Sequence, residues 1–271
     1  MTEPRLDRWD GRAVAVLCAE WEVSRVEAYG TLGSTNDRAR VLAEEGGGPW
    51  TVVVADEQTR GRGRRGSTWV SAPGAGLSMS VLLDGGATGG TLSLLVGLAC
   101  ARAIEDVAPG LTVGIKWPND LLVQGRKVGG ILCEAAGDSV VAGIGINVAG
   151  APSDAEVAGD GLPPASLEAL AGNPLSRSGL ARAIVRRIRE VVSARSPTAT
   201  GLDDALVEAL NRRDALAGLA VTTDQAGEGR AAGIDVSGAL RLVGDDGVEL
   251  RVVSGSVRPV SGGGPIVDDP E

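Results

Sequence analysis

Of the 26 basic residues in this 271-residue chain, only two are lysine, Lys116 and Lys127. They stand at the two ends of one segment, Lys116-Trp-Pro-Asn-Asp-Leu-Leu-Val-Gln-Gly-Arg-Lys127. Arginine offers a planar fork that grips anions bidentately, whereas lysine is a compact ammonium acting as a point charge on a carboxylate or phosphate. An arginine-preferring composition explains the scarcity of lysine elsewhere, but not why the two survivors flank one segment. A second segment, Arg60-Gly-Arg-Gly-Arg-Arg-Gly66, packs four guanidinium groups among three glycines. Together the two describe a site for an activated anion.

Histidine is absent, which removes the Ser-His-Asp triad, the Cys-His pair and imidazole metal sites. The cysteines, Cys18, Cys100 and Cys133, are odd in number, widely spaced and without a C-x-x-C pair, so they read as reduced thiols of a cytoplasmic protein. Catalysis must rest on Lys, Arg, Asp, Glu, backbone amides or a carboxylate-held cation. In Gly61-Arg-Gly-Arg-Arg-Gly66 the glycines let the backbone approach a ligand while the arginines supply forked donors. The spacing is not that of a dinucleotide-binding turn, and the Gly-Lys-Ser/Thr ending of a P-loop is missing. Alone, the run also suits an RGG-like RNA tether or a soluble loop. A net charge of −9 argues against broad nucleic-acid binding and makes the cluster a local positive feature on an acidic protein.

The elements that would position these residues follow from pattern. Residues 11–30 read as a short helix and a strand. Ser34-Thr-Asn-Asp reads as a helix start, capped by Ser or Thr, and the helix stops at Gly46-Gly-Gly-Pro49. Thr51–Ala55 is a β-branched strand delivering Gln58 and the arginine loop. Gly76–Leu83 alternates as a half-buried strand, and Thr91–Val107 has helical spacing ending at Pro109-Gly110. Strands follow at Thr112–Trp117, Asp120–Val123 and Lys127–Ala135, with Gln124-Gly125 turning between the last two, and then at Val140–Val148. These predict an α+β fold: a mixed, largely antiparallel sheet with helices on one face. Residues 149–165 read as a mobile loop. Helices are predicted over Gly179–Ala194, with its arginines on a solvated face, and over Leu202–Arg212. Five short strands between Leu219 and Val260 have the rhythm of a small β-barrel. The boundaries are therefore a domain of 1–215, a barrel of 216–264 and a disordered tail of 265–271. No apolar h-region opens the chain and no run approaches the roughly 18 apolar residues of a membrane span.

The arginine loop continues as Ser67-Thr-Trp69-Val-Ser71-Ala-Pro73-Gly-Ala-Gly76. With Gly33-Ser34-Thr-Asn36, Gln58, Lys116-Trp-Pro-Asn-Asp120, Gly125-Arg-Lys127-Val-Gly-Gly130 and Gly143-Ile-Gly-Ile-Asn147, it resembles the bacterial biotin protein ligases over roughly residues 28–260. The resemblance implies a catalytic domain like that of class II aminoacyl-tRNA synthetases, followed by an SH3-like barrel. It implies that biotin and ATP give biotinyl-5′-AMP, whose biotin passes to a lysine of a biotin carboxyl carrier domain. No tightly bound cofactor and no nucleic-acid or membrane partner is implied, and the form expected is a monomer or weak homodimer. By resemblance, Lys127 and Arg64 are catalytic. Ser34, Thr35, Asn36, Gln58, Gly61, Arg62, Gly63 and Gly130 complete the biotin site with them. Trp69, Asn119 and Asn147 join Lys127 at ATP. Asp120 could reach the Mg²⁺ that accompanies ATP, or cap the turn after Asn119, and Trp69 could equally be core. Ser67 departs from the basic residue common there, with Arg60 the nearest candidate to compensate. Mutual repulsion of the arginines predicts that residues 60–68 are mobile until an anion closes them.

A lipoate- or octanoate-transferring relative is the enzyme rival, but an apolar tunnel for a lipoyl head disagrees with the polar set Ser34, Asn36 and Gln58. A biotin-operon repressor needs a winged helix of about 60 residues ahead of the core. Residues 1–27 are neither long nor basic enough for one, so a monofunctional ligase is expected. A non-catalytic biotin-responsive or RNA-binding module is the remaining alternative.

Overall fold

The computed structural model describes residues 3–85, 91–153, 162–193 and 201–260. A two-strand hairpin, β1 (Arg8–Trp9) and β2 (Arg12–Ala13), leads into α1 (Val14–Glu20). Next come β3 (Arg25–Leu32), α2 (Thr35–Glu44), β4 (Thr51–Gln58), β5 (Gly76–Asp84) and α3 (Leu92–Val107). Then follow β6 (Gly114–Lys116), β7 (Asp120–Val123), β8 (Arg126–Ala136) and β9 (Ser139–Asn147). Three helices, α4 (Leu167–Ala171), α5 (Arg177–Ser193) and α6 (Asp204–Asn211), precede five short strands. These are β10 (Ala220–Thr223), β11 (Gly227–Ile234), β12 (Leu240–Val243), β13 (Glu249–Val252) and β14 (Val257–Pro259).

The main sheet has seven strands in the order β3-β4-β5-β9-β8-β7-β6. Only β3 and β4 run parallel, since α2 makes the crossover between them, and every other pair is antiparallel. The tight turn at Gln124-Gly125 carries φ of 51° and 71°, the mirror-image geometry that suits a two-residue hairpin. Strand β5 shows how the layers form. Leu77, Met79, Val81 and Leu83 point into the large core with α3 and α5, while Leu82 points the other way, into a smaller core with Leu42 of α2. Successive side chains alternate faces, so helices lie on both faces, correcting the expectation of one. Helix α2 covers only part of the second face, and the glycines of β8 and β9 leave the rest open.

On α5 the apolar stripe Leu180, Ile184, Ile188 and Val191 is buried, each side chain contributing roughly 1.5–3 kcal/mol. Its arginines are not simply solvated. Arg186 and Arg187 both meet Asp106 of α3, and Arg189 lies 4.2 Å over the Trp50 ring. The five C-terminal strands form one antiparallel sheet, β13-β12-β11-β10-β14. It is seated on the first part of the chain: Trp117 Nε1 donates to Gly238 O at 3.0 Å, and Val221, Leu240 and Val257 belong to the large core. The supposed mobile loop is tied down where it is described, since the Lys127 N–H donates to Pro163 O and the Ala165 N–H to Lys127 O, both at 2.9 Å. Residues 154–161 of that loop and the tail 265–271 lie outside the described residues. All three cysteines are free. Among the described residues no helix is long and apolar enough to cross a membrane.

Candidate functional site

On the open face of the sheet lies a cavity of about 610 Å³. Its floor is made of strand glycines, and the reason is steric. A Cβ on Gly145 would stand 2.4 Å from the Trp69 ring, and one on Gly143 would stand 2.2 Å from Asn36 Oδ1. Both distances are shorter than any real contact, so Trp69 and Asn36 can lie against β9 only because Gly143 and Gly145 have no side chains. Gly130 of β8 continues this floor, its Cβ direction 3.5 Å from Trp69.

The charged end gathers at the β7–β8 hairpin. Asp120 is 5% exposed, and both lysines of the chain converge on it, Lys127 Nζ at 2.9 Å and Lys116 Nζ at 3.7 Å. Arg64 Nη1 reaches Asn119 Oδ1 at 3.3 Å, and Asn119 Nδ2 donates to Ile131 O at 3.1 Å. Burial lowers the Arg64 guanidinium from its ordinary value, with the Asp120 charge pulling it back up. Asp120 therefore serves as counter-ion to a pocket of cations. Its two oxygens face the two ammonium groups of the chain.

The opposite end is lined mainly by neutral, tightly bonded side chains, with the Arg62–Glu134 ion pair beside them. Ser34 starts α2 but makes no cap; the Thr35 N–H is instead taken by Gln58 Oε1 at 2.8 Å, so β4 caps the helix. Thr35 Oγ1 also reaches Gln58 Oε1, at 3.1 Å. Asn36 Nδ2 donates to Leu132 O at 3.2 Å and to Glu134 Oε2 at 2.7 Å. Asn147 Nδ2 donates to Ala165 O at 3.2 Å and Lys127 O at 3.4 Å, which leaves its buried Oδ1 without a partner among the described residues.

The arginine loop is a turn closed by its own hydrogen bonds. Arg62 bridges to Thr68, the Gly63 N–H donates to Ser67 O at 2.7 Å, and Ser67 Oγ donates to Arg64 O at 2.8 Å. Ser67 thus closes the loop, the work its position does here in place of a basic residue. The arginines do not repel freely. Arg62 meets Glu134 at 2.7 Å and Asp37 at 2.9 Å, and Arg65 pairs with Asp224 on the C-terminal sheet. These pairs offset the mutual repulsion on which the expected mobility of residues 60–68 rests. Arg60 is exposed beside Gly33 and does not line the cavity, so it does not stand in for the missing basic residue.

Ser34, Thr35, Asn36, Gln58, Arg62, Gly63, Arg64, Trp69, Asn119, Asp120, Lys127, Gly130 and Asn147 all line this cavity. Gly61 does not. It is buried where a Cβ would meet Trp69 O at 2.3 Å, and its role is to let the two arms of the loop approach. Sequence reasoning missed Glu134, Ser80, the seating of Lys116 and the C-terminal stretch Gly255–Arg258, which completes one wall. Only the rarity of lysine pointed to Lys116; the others carry no local signature.

The chain thus combines a mixed α+β sheet with a glycine-floored, cation-bearing cavity on the open face of that sheet. Residues 34–150 match the biotin/lipoate A/B protein ligase family. It is 41% identical over 149 residues to a biotin–[acetyl-CoA-carboxylase] ligase of Paracoccus denitrificans, covering 52% of this chain and 61% of the relative. It is 37% identical over 170 residues to the bifunctional ligase/repressor BirA of Bacillus subtilis, covering 58% of this chain and 50% of that one. The matches thus span half to three-fifths of these curated relatives. Among solved structures, a biotin protein ligase from Aquifex aeolicus in complex with biotin and ATP superposes with a TM-score of 0.74 at 26% identity. That likeness covers 88% of this chain and 100% of the other. A biotin protein ligase from Leishmania major with biotinyl-5-AMP gives a TM-score of 0.61 at 26% identity, covering 84% and 98%.

Proposed function

We propose that this protein is an ATP-dependent biotin protein ligase acting on a biotin carboxyl carrier domain in the cytoplasm. One observation carries the reading: a single cavity joins a neutral hydrogen-bonding end to an end where Arg64, Lys116 and Lys127 converge. A ligand that is polar and uncharged at one end and anionic at the other fits it. Neutral, buried hydrogen-bonding groups select a head group by its own donors and acceptors and penalise an apolar one. That favours a ureido ring over a lipoyl or octanoyl head.

In the first step the biotin carboxylate attacks the α-phosphorus of ATP; an O–P bond forms and pyrophosphate leaves. Two anions must meet, so preorganised cations supply the largest stabilisation. We assign this to Lys127 and Arg64, with Asp120 and Asn119 holding them in place. Trp69, flat against the β9 glycines, offers a face for adenine, and the orphaned Asn147 Oδ1 offers an acceptor for its amino group. Ser34, Thr35, Asn36 and Gln58 surround the head, while Arg62, Gly63 and Gly130 frame it. In the second step a carrier lysine attacks the acyl carbon, an amide forms and AMP leaves. We read residues 1–215 as the catalytic domain, related to class II synthetases, and residues 216–264 as an SH3-like barrel. Pyrophosphate release on adding biotin to protein and ATP tests the proposal. Release with lipoate but not biotin would favour the rival transferase, and no release with either would remove the ligase reading.

A further inference from the structure

Ser80 lies on β5, fully buried and outside the cavity lining, yet its hydroxyl touches two residues of the neutral end. Its Oγ stands 2.8 Å from Thr35 Oγ1 and 2.6 Å from Asn36 Oδ1. A hydroxyl has one proton, so it cannot donate to both. The neighbours decide the matter. Asn36 Nδ2 faces a carbonyl, Leu132 O, and a carboxylate, Glu134 Oε2, both of which only accept. The amide nitrogen is therefore held on that side and the amide oxygen on the side of Ser80. An amide oxygen cannot donate, so the Ser80 proton goes to Asn36.

Thr35 must then give its own proton either to Ser80 or to Gln58 Oε1, which is already fixed as an acceptor by the Thr35 N–H. In both arrangements that proton is spent inside the protein. What Thr35 presents to the cavity is lone pairs alone.

We infer that Ser80 is a specificity-determining positioning residue: by fixing the proton order along Asn36, Ser80 and Thr35, it makes Thr35 an obligate acceptor toward the ligand. The inference rests on the reading of the ligand as biotin, whose ureido ring carries two N–H groups. A head group offering an N–H at Thr35 is accepted, and one offering a lone pair there is rejected. Glu134 is the origin of the order, since its carboxylate forces the orientation of the Asn36 amide.

Calorimetry tests this with biotin and the two cyclic carbamates in which one or the other ureido N–H is replaced by a ring oxygen. Wild type is expected to disfavour one carbamate by on the order of 100-fold, because two buried acceptors would face each other. In Ser80→Ala, Thr35 loses one acceptor and can turn its proton outward, so the biotin-to-carbamate ratio should fall by about 5-fold or more. Thr35→Val should lose the discrimination, and adding Ser80→Ala to it should change the ratio no further. If Ser80→Ala weakens biotin and the carbamate by one common factor, Ser80 only packs, and the inference is overturned. A Thr35→Val variant that still rejects the same carbamate overturns it as well, and decides the question even if Ser80→Ala does not fold. Wild type that binds biotin and both carbamates alike also overturns it, leaving the biotin reading intact. Wild type that binds no biotin removes that reading instead.

Discussion

Lys127 has its charge, reach and backbone each fixed by a different part of the chain. Asp120 holds the ammonium at 2.9 Å, the β7–β8 hairpin sets the direction of the side chain, and Pro163 and Ala165 clamp the main chain. A guanidinium there would engage Asp120 as a fork and spread its charge over a plane instead of a point. Lys127→Ala and Lys127→Arg are both expected to slow adenylate formation by roughly 100-fold or more, about 3 kcal/mol, with the fold retained. Burst measurement of pyrophosphate checks this, and a normal first step in Lys127→Arg would show that no lysine is required. This residue was legible because lysine is so rare here. Ser80 and Glu134 were not, because they meet Asn36 across separations of 44 and 98 residues and leave no pattern around themselves.

At the scale of elements, the strands of both sheets were legible from alternation and turn residues, down to the turn at Gln124-Gly125. The hairpin β1–β2, two residues a strand, and the five-residue α4 are too short to show a period. The placement of α2 was misread because alternation tells which residues share a face, but not which face a given helix covers. The glycines of β9 belong to this scale too: they read as weak points in a strand until Trp69 is seen to lie on them. Gly145→Ala places a methyl group where the indole is. Stacking of a base on an aromatic ring is worth about 1–3 kcal/mol, so the KM for ATP should rise roughly 10-fold or more, while biotin binding, at the other end, is kept. Titrations of each ligand separate the two, and equal weakening of both would argue that the strand itself is disturbed. The arginine loop gives a second element-level expectation. Asp224→Ala removes the carboxylate partner of Arg65 and leaves only its bond to Ser256 Oγ at 2.8 Å, so trypsin should cut within residues 60–68 faster than in wild type. An unchanged cleavage rate would mean that the contacts of Arg62 and Ser67 hold the loop without that tie.

For the whole molecule, two features of charge distribution have consequences. Glu27 is 1% exposed and joins the N-terminal segment, β3 and α2 through Arg5, Arg25, Arg38 and Tyr29. Burial alone would raise its carboxyl, but hydrogen bonds from Arg38 and Tyr29 and the nearby arginine charges take it from 4.5 to about 2. A depressed folded pKa contributes stability above the unfolded value and loses it as pH falls, here between about 4.5 and 2, with an upper bound of about 3 kcal/mol. Glu27→Gln should therefore melt lower than wild type at pH 7, and the gap should close across that window; a gap independent of pH would rule the linkage out. The second feature is the lysine pair itself. An acyl-adenylate that escapes its site acylates exposed amines, yet the two lysines of this chain both sit in the cavity on one carboxylate, Lys116 only 4% exposed. On the proposed function, the reactive mixed anhydride would thus find few side-chain targets in the chain that makes it. Prolonged incubation with biotin and ATP is expected to leave Lys116 and Lys127 unmodified, while a carrier domain added to the same mixture is biotinylated on its acceptor lysine. Peptide mass spectrometry checks both at once. Substantial biotin on Lys127 would show that its amine is a target of the adenylate, against the role assigned to it beside Asp120.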